Sequence, residues 1–327
     1  MSLHATFDRV VARLGSPFAK LYADGFGPDL EARVAGVADF QGPVDPVAIR
    51  WTGTRRVLGV RVDRGEYDSP AADYLPPESQ RGYVERWVPR PDAPVCLVLP
   101  ATAEEGFARR RPFARYLAAH GVGALLYEGP FYGPRRPAGQ RAALLRTVAD
   151  QFAMNLATVH EAAALLRTFR EQGHDVGATG YSQGGMMAAF AAAASDFSVA
   201  VVPRGAALSA EPIFTAGALT QTMRWDVLAE EAGSLDAAKE RFANALAEVR
   251  IDRFPSLTDP ARAIIVASRH DGFVPPQEAH ALHAHWPGSD LRWVDAGHFT
   301  GLVLHHGTHR RAVLDAFAQP PTDPRER

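Results

Sequence analysis

Gly180-Tyr181-Ser182-Gln183-Gly184 is the stretch that decides the fold. It follows a short apolar run at 176–178 and opens into a small-residue helix over 185–194. Between a strand and a helix, Gly-x-Ser-x-Gly forms a tight turn that carries the serine oxygen clear of the backbone, and glycines two residues to either side let neighbouring chain pass close. Ser182 is the candidate nucleophile.

A serine hydroxyl is a weak nucleophile at neutral pH, so it needs a histidine base and a carboxylate to orient that base. Residues 263–267 read as a buried strand leading into Ser268-Arg269-His270-Asp271-Gly272, which puts Asp271 at the sheet's carboxyl edge. A second strand, 291–294, runs into Asp295-Ala296-Gly297-His298-Phe299 and offers His298. Serine, then acid, then histidine is the chain order of α/β-hydrolases. Asp271 has a competing use as the cap of a helix over 275–285, although Pro275 and Pro276 already suit that helix start. Asp295 and, more weakly, Glu211 are rival acids, while His270, His305, His306 and His309 are rival histidines. The run His305-His306-Gly307-Thr308-His309 lacks the spacing of a metal-binding helix, and the one cysteine, Cys96, falls in a predicted buried strand, so no metal and no cofactor are expected.

Composition points the same way. The 327 residues are 46% hydrophobic, enough for one large domain with an excursion, and the net charge of -2 argues against nucleic acid. No apolar run reaches membrane-spanning length, no secretory signal pattern opens the chain, and a single cysteine forms no intramolecular disulfide, so a cytoplasmic protein is expected. In the first helix Phe7, Val10, Val11 and Leu14 share one face, which suits packing on the body better than contact with a membrane surface.

Short apolar runs recur at 57–62, 83–88, 95–99, 122–127, 176–178, 199–202, 263–267 and 291–294. The first two suit antiparallel edge strands, and the rest, spaced by helix-length segments, suit a mostly parallel central sheet flanked by helices. Helical periodicity covers 140–172, 225–231 and 235–249. The expected division is an N-terminal helical arm (1–42), an α/β-hydrolase core (43–211 and 258–318), a helical lid insertion (212–257) and a disordered tail (319–327). Such a lid would exclude water and limit substrate size, and the same segment also suits a long α-helical crossover with no gating role.

The oxyanion of an acyl-transfer intermediate needs aimed donors. The backbone N–H of Gln183 is one. Ala101 or Thr102, in the loop after the 95–99 strand, is the other. Arg109-Arg110-Arg111 follows closely on a predicted helix. It suits a solvated face paired with Glu104 or Glu105, or, more sharply, a grip by Arg110 on an anionic substrate group. Tyr181 and Trp225 complete the candidate substrate contacts.

The stretch at 123–140, Gly-Ala-Leu-Leu-Tyr-Glu-Gly-Pro-Phe-Tyr-Gly-Pro-Arg-Arg-Pro-Ala-Gly-Gln, resembles a signature of the α/β-hydrolase domain-containing protein 18 family. Residues 107–115, 213–217 and Met223-Arg224-Trp225 are similar to that family's pattern, over roughly 57–317. The resemblance implies that Ser182, Asp271 and His298 match the family's triad, and Gln183 departs from it where an aliphatic residue is expected. The expected activity is serine-dependent hydrolysis of a small-molecule or lipid-like acyl ester. Thioesterase or acyltransferase chemistry on the same triad, or a silent hydrolase-fold binding protein, are the alternatives. A homo-oligomer is compatible with all of them.

Overall fold

The computed structural model describes residues 3–15, 20–38, 40 and 43–321. Its strands are β1 (Arg50–Val57), β2 (Val60–Asp68), β3 (Arg81–Val88), β4 (Val95–Leu99), β5 (Gly123–Tyr127), β6 (Val176–Tyr181), β7 (Ala200–Arg204), β8 (Ile264–Ser268) and β9 (Asp290–Val294). Among the described residues they form one nine-stranded sheet in the order β1-β2-β3-β5-β4-β6-β7-β8-β9. β1 to β3 are antiparallel, β3 meets β5 antiparallel, and every pairing from β5 to β9 is parallel. This is the α/β-hydrolase fold, a mostly parallel sheet with helices on both faces.

The helices are α1 (Leu3–Gly15), α2 (Leu30–Ala38), α3 (Arg111–Ala119), α4 (Val148–Glu171), α5 (Gln183–Ala193), α6 (Glu211–Thr215), α7 (Trp225–Ala232), α8 (Leu235–Glu248), α9 (Pro276–His285), α10 (His298–Leu304) and α11 (His306–Ala318). Strands buried on both faces need no polar alternation, and β4 illustrates why its run is continuously apolar. Val95, Leu97 and Leu99 enter the core that contains α4 and α5, whereas Cys96 and Val98 enter the core on the α3 and α11 side. Each fully buried leucine among these contributes about 1.5–3 kcal/mol.

A buried polar knot ties the antiparallel half of the sheet to α4. Glu161 meets Arg135 at 2.5 Å, with both side chains fully buried, and also accepts from the Tyr67 and Tyr127 hydroxyls at 2.8 Å. Removing one partner of such a pair costs about 3–5 kcal/mol, because the other charge is left buried alone.

Three expectations are corrected here. The run 57–62 is not one strand but the tip of the β1–β2 hairpin, where Leu58 and Gly59 adopt φ values of 49° and 83°. Helix α4 begins at Val148 rather than near 140, because Thr147 and Asp150 close a reciprocal capping box there. In α1 two residues of the expected packing stripe turn outward, Phe7 and Val10 at 48% and 44% exposed, and Val11 is half-buried, while Asp8 and Ala12 are buried. The side chain of Leu14 lies outside the described residues, as does 322–327 of the expected tail. The helices of the 212–257 insert bury Leu228, Ala238, Phe242 and Leu246, with Phe242 edge-on to Tyr22 of the N-terminal segment. No described helix is long and apolar enough to cross a membrane.

Candidate active site

Ser182 sits between β6 and α5 with φ 55° and ψ -120°, a strained conformation for a residue with a side chain. Long-range contacts hold it there. Its N–H donates to the carbonyl of Arg204 at 2.8 Å, and its carbonyl accepts from Gly185 and Met186. A Cβ at Gly180 would lie 2.2 Å from the Gly184 carbonyl carbon, and one at Gly184 would lie 2.5 Å from the Pro100 carbonyl oxygen. Backbone cannot yield at those distances, so both flanking glycines are required by the packing.

Across the sheet's carboxyl edge, His298 begins α10 just beyond β9 and is 5% exposed. Its Nδ1 lies 2.7 Å from Asp271 Oδ2. The other oxygen of Asp271 accepts the N–H groups of Phe273 and Val274, both at 2.8 Å. One oxygen of Asp271 thus meets the imidazole and the other closes its own loop; it does not cap α9, whose N-cap is Pro275 with no side-chain hydrogen bond. Asp295 instead pairs with His270 at 2.9 Å and is largely exposed, and Glu211 accepts from Thr215 on its own helix. Burial alone would lower the imidazole pKa, but the Asp271 charge and hydrogen bond, with a further contribution from Asp8, raise it above the usual histidine value. Tyr181 donates its hydroxyl to the His298 carbonyl, and its ring is edge-on to His309. Burial and the neighbouring Arg204 push His309 down to about 3, leaving it neutral. His305 and His306 follow α10, and His306 is among the residues that line the cavity.

Ser182, His298 and Tyr181 line a cavity of about 550 Å³ between α3 and the α10–α11 pair, with Thr102 and Ala101 on its rim. The Ala101 N–H is already engaged by Glu104 Oε2 at 3.1 Å. The Gln183 N–H, at the first turn of α5, has no intrahelical acceptor. The Gln183 side chain turns away from this cavity to Asn155 on α4 at 3.0 Å, so its departure from the family pattern does not build the cavity wall.

Two expected substrate contacts are corrected by their hydrogen bonds. Arg110 borders the cavity, but its guanidinium is spent inward: it donates to Glu104 at 2.9 Å and to the carbonyls of Val98, Tyr127 and Gly106 at 2.6–2.8 Å. It ties the loop after β4 to the strand ends. Trp225 does not line the cavity; its indole N–H bonds the Thr220 carbonyl and its ring packs edge-on to Phe242. From the whole 212–257 insert the cavity wall takes Leu219. Arg111 is held bidentately by Glu85, and Glu105 pairs with Arg136, so of the expected pairings only Arg110 with Glu104 forms.

Sequence reasoning missed Arg204. At the end of β7, buried and without a carboxylate partner among the described residues, it donates to Thr179 Oγ1 at 3.0 Å and lies over the Phe113 ring at 4.4 Å. Burial pushes its pKa down to about 10, and it lines the same cavity as Ser182. A charge closing the otherwise apolar run at 199–204 was the available signal. Asp8 of α1 was missed as well; its Oδ2 reaches the His298 N–H at 2.7 Å, a contact across 290 residues that no local pattern announces.

Among solved structures, the fold is similar to the acetyl xylan esterase 1 of Thermoanaerobacterium sp., with 14% identity, TM-score 0.55, and 97% of this chain and 99% of that one covered. It is also similar to the acetyl xylan esterase of Paenibacillus sp., with 15% identity, TM-score 0.58, and 96% and 99% covered. A cold-adapted esterase from an Arctic intertidal metagenomic library matches at 16% identity and TM-score 0.51, with 81% of this chain and 98% of that one covered. At such identities the likeness is one of fold. The sequence itself matches the pattern of the family described as alpha/beta hydrolase domain containing 18 over residues 35–235 and 229–319. That span is most of the chain, and the protein belongs to the alpha/beta hydrolase domain containing 18 family.

Proposed function

We propose that this protein is a serine hydrolase that cleaves an acyl ester through an acyl-enzyme intermediate. The observation that carries the reading is a strained serine turn that lines the same cavity as a histidine whose Nδ1 is held 2.7 Å from a buried aspartate. In the first step Ser182 Oγ attacks the carbonyl carbon while His298 Nε2 takes the hydroxyl proton, and that proton then passes to the departing alcohol. Water repeats the sequence on the acyl-enzyme and releases the acid. Asp271 keeps the proton on Nδ1 and stabilises the imidazolium. Two N–H groups serve the oxyanion: Gln183, and Thr102 in preference to Ala101, whose N–H is engaged by Glu104.

The cavity also favours a charge type. Arg204, Arg109 and Arg310 line it together with Glu104, which is already paired with Arg110. An ester carrying a carboxylate or phosphate fits that balance, with Arg204 taking the grip first expected of Arg110. The reading is tested by labelling with a fluorophosphonate probe and assaying graded p-nitrophenyl esters. The wild type should label and turn over, and Ser182→Ala should do neither while keeping its melting temperature. Ester turnover at the wild-type rate by Ser182→Ala would refute it.

A further inference from the structure

Helix α1 is placed against its own hydrophobic pattern. Leu3, Phe7 and Val10 are 86%, 48% and 44% exposed, whereas Asp8 is completely buried. Burial of apolar surface alone does not orient a helix this way. Among the described residues no arginine or lysine pairs with the Asp8 carboxylate. Its partners are backbone: Oδ2 accepts the N–H of Gly272 at 2.9 Å and of His298 at 2.7 Å, and Oδ1 accepts that of Phe299 at 3.2 Å. One carboxylate thus bridges the loop that carries Asp271 and the loop that carries His298.

The two loops are shaped to receive it. A Cβ at Gly272 would stand 2.9 Å from Asp8 Cβ, and a Cβ at Gly297 would stand 2.6 Å from Asp8 Oδ2. Glycine on both sides lets the carboxylate settle between them. His4, one turn earlier, adds a hydrogen bond to Thr300 at 3.1 Å and stacks on His270, so α1 touches both loops along two turns. Asp8 lies outside both stretches that match the family.

We propose that Asp8 is a positioning residue for the acid–base pair, a clamp from the N-terminal helix that fixes the Asp271 and His298 loops relative to each other and holds negative charge beside the imidazole. This rests on His298 being the general base. A purely structural alternative exists, since a carboxylate at the first N–H groups of α10 is also a helix cap. The two differ in what they do to the imidazole. A neutral cap at position 8 leaves the fold in place but withdraws charge from His298. The groups around that ring are Asp271 from the loop after β8, Asp8 from α1, Tyr181 from β6, His4 stacked on His270 with its partner Asp295, and His309 and Arg204 beyond Tyr181.

Asp8→Asn, made in the full chain, should lower kcat about 10- to 100-fold with KM nearly unchanged, the cost of a loosened reacting geometry. It should also move the acid limb of kcat/KM to lower pH, because one of the charges favouring imidazolium is gone. The His298 titration, followed by NMR of its ring carbon, should move in the same direction, and that readout does not depend on turnover. Gly297→Ala, which keeps the carboxylate but crowds it out, should reproduce the kcat loss, while Phe7→Ser on the exposed face of α1 should leave kcat unaltered. An unmoved acid limb and His298 titration in Asp8→Asn, or activity that falls only in step with the folded fraction in both Asp8→Asn and Gly297→Ala, would overturn the proposal. Absence of esterase activity in the wild type would instead refute the hydrolase reading, and the His298 titration in Asp8→Asn would still decide for or against the clamp.

Discussion

Ser182 and the glycines that shape its turn lie within five consecutive residues, whereas the pair facing it is gathered from Asp271 and His298, 27 residues apart, with Asp8 contacting His298 across 290. The geometry of the serine turn is stored as backbone strain, φ 55° at Ser182, enforced by the close approach of β6 to α5 at Gly180 and of α5 to the end of β4 at Gly184. The geometry of the Asp271–His298 pair is stored in hydrogen bonds between loops. Backbone strain inside a packed sheet is stiff and local, while a hydrogen-bonded loop assembly is adjustable and open to change from distant positions. Under the proposed mechanism, substitutions at the serine turn should abolish the rate, whereas those in the acid–base half should span losses from severe at Asp271 to slight at distant positions.

The sharpest way to break that contrast is at the acid. Asp271→Asn keeps an acceptor for the Phe273 and Val274 N–H groups but removes the charge and can present an amide N–H to Nδ1, favouring the wrong tautomer. It should lower kcat by about 10⁴-fold. Asp295→Asn, at an exposed pair with His270, should change it by less than about threefold, as surface pairs contribute little. Steady-state kinetics on one neutral ester decide the matter, and equal losses in the two variants would remove Asp271 from its role.

A smaller effect should separate two of the arginines that line the cavity, Arg110 and Arg204. Arg110 donates to one carboxylate and three carbonyls, so its loss loosens the loop after β4 and should slow acidic and neutral esters alike. Arg204 has no carboxylate partner among the described residues, so Arg204→Gln should raise KM about tenfold or more for an ester with a terminal carboxylate and little for its neutral methyl ester. Added salt should narrow the wild-type preference less than it would for exposed charges, since buried pairs are weakly screened. A uniform loss across both esters would show that Arg204 only supports the sheet edge.

This contrast also marks what could be read from sequence. Parallel strands buried on both faces leave continuous apolar runs, so 95–99, 122–127 and 263–267 were legible, and the elbow carries its own flanks. The hairpin tip was not, because Leu58 at φ 49° is an unusual residue for a turn that asparagine or glycine normally marks. Which of several arginines turns into a cavity depends on tertiary contacts such as that of Arg204 with Phe113 of α3, and the charge that closes the apolar run at 199–204 says only that Arg204 is unusual, not where it points. Trp225 looked like a pocket wall because apolar periodicity says that a residue is buried and not against what. Asp8 left no trace at all, since the groups it serves are backbone N–H groups, which every residue but proline has.

The last expected effect is a displacement of the pH profile. In the proposed mechanism His298 is neutral when it accepts the Ser182 proton, so activity should fall as pH drops through its pKa. An unperturbed histidine would set that midpoint near about 6.5. Burial alone would move it lower, but Asp271, through charge and hydrogen bond, and Asp8, through charge, together outweigh burial and raise it. The acid limb of kcat/KM on a neutral ester should therefore have its midpoint above about 6.5. The neighbouring groups do not supply that limb: Tyr181 is held protonated well above its usual range, and His309 is already neutral across it. Asp295→Asn should leave the midpoint in place. Asp271→Asn, in whatever residual activity it retains, should move it down, because the largest of the raising influences is gone. A wild-type midpoint at or below that of free histidine would mean that burial dominates the imidazole, and the acid–base half would then be held by its loops with little help from its charges.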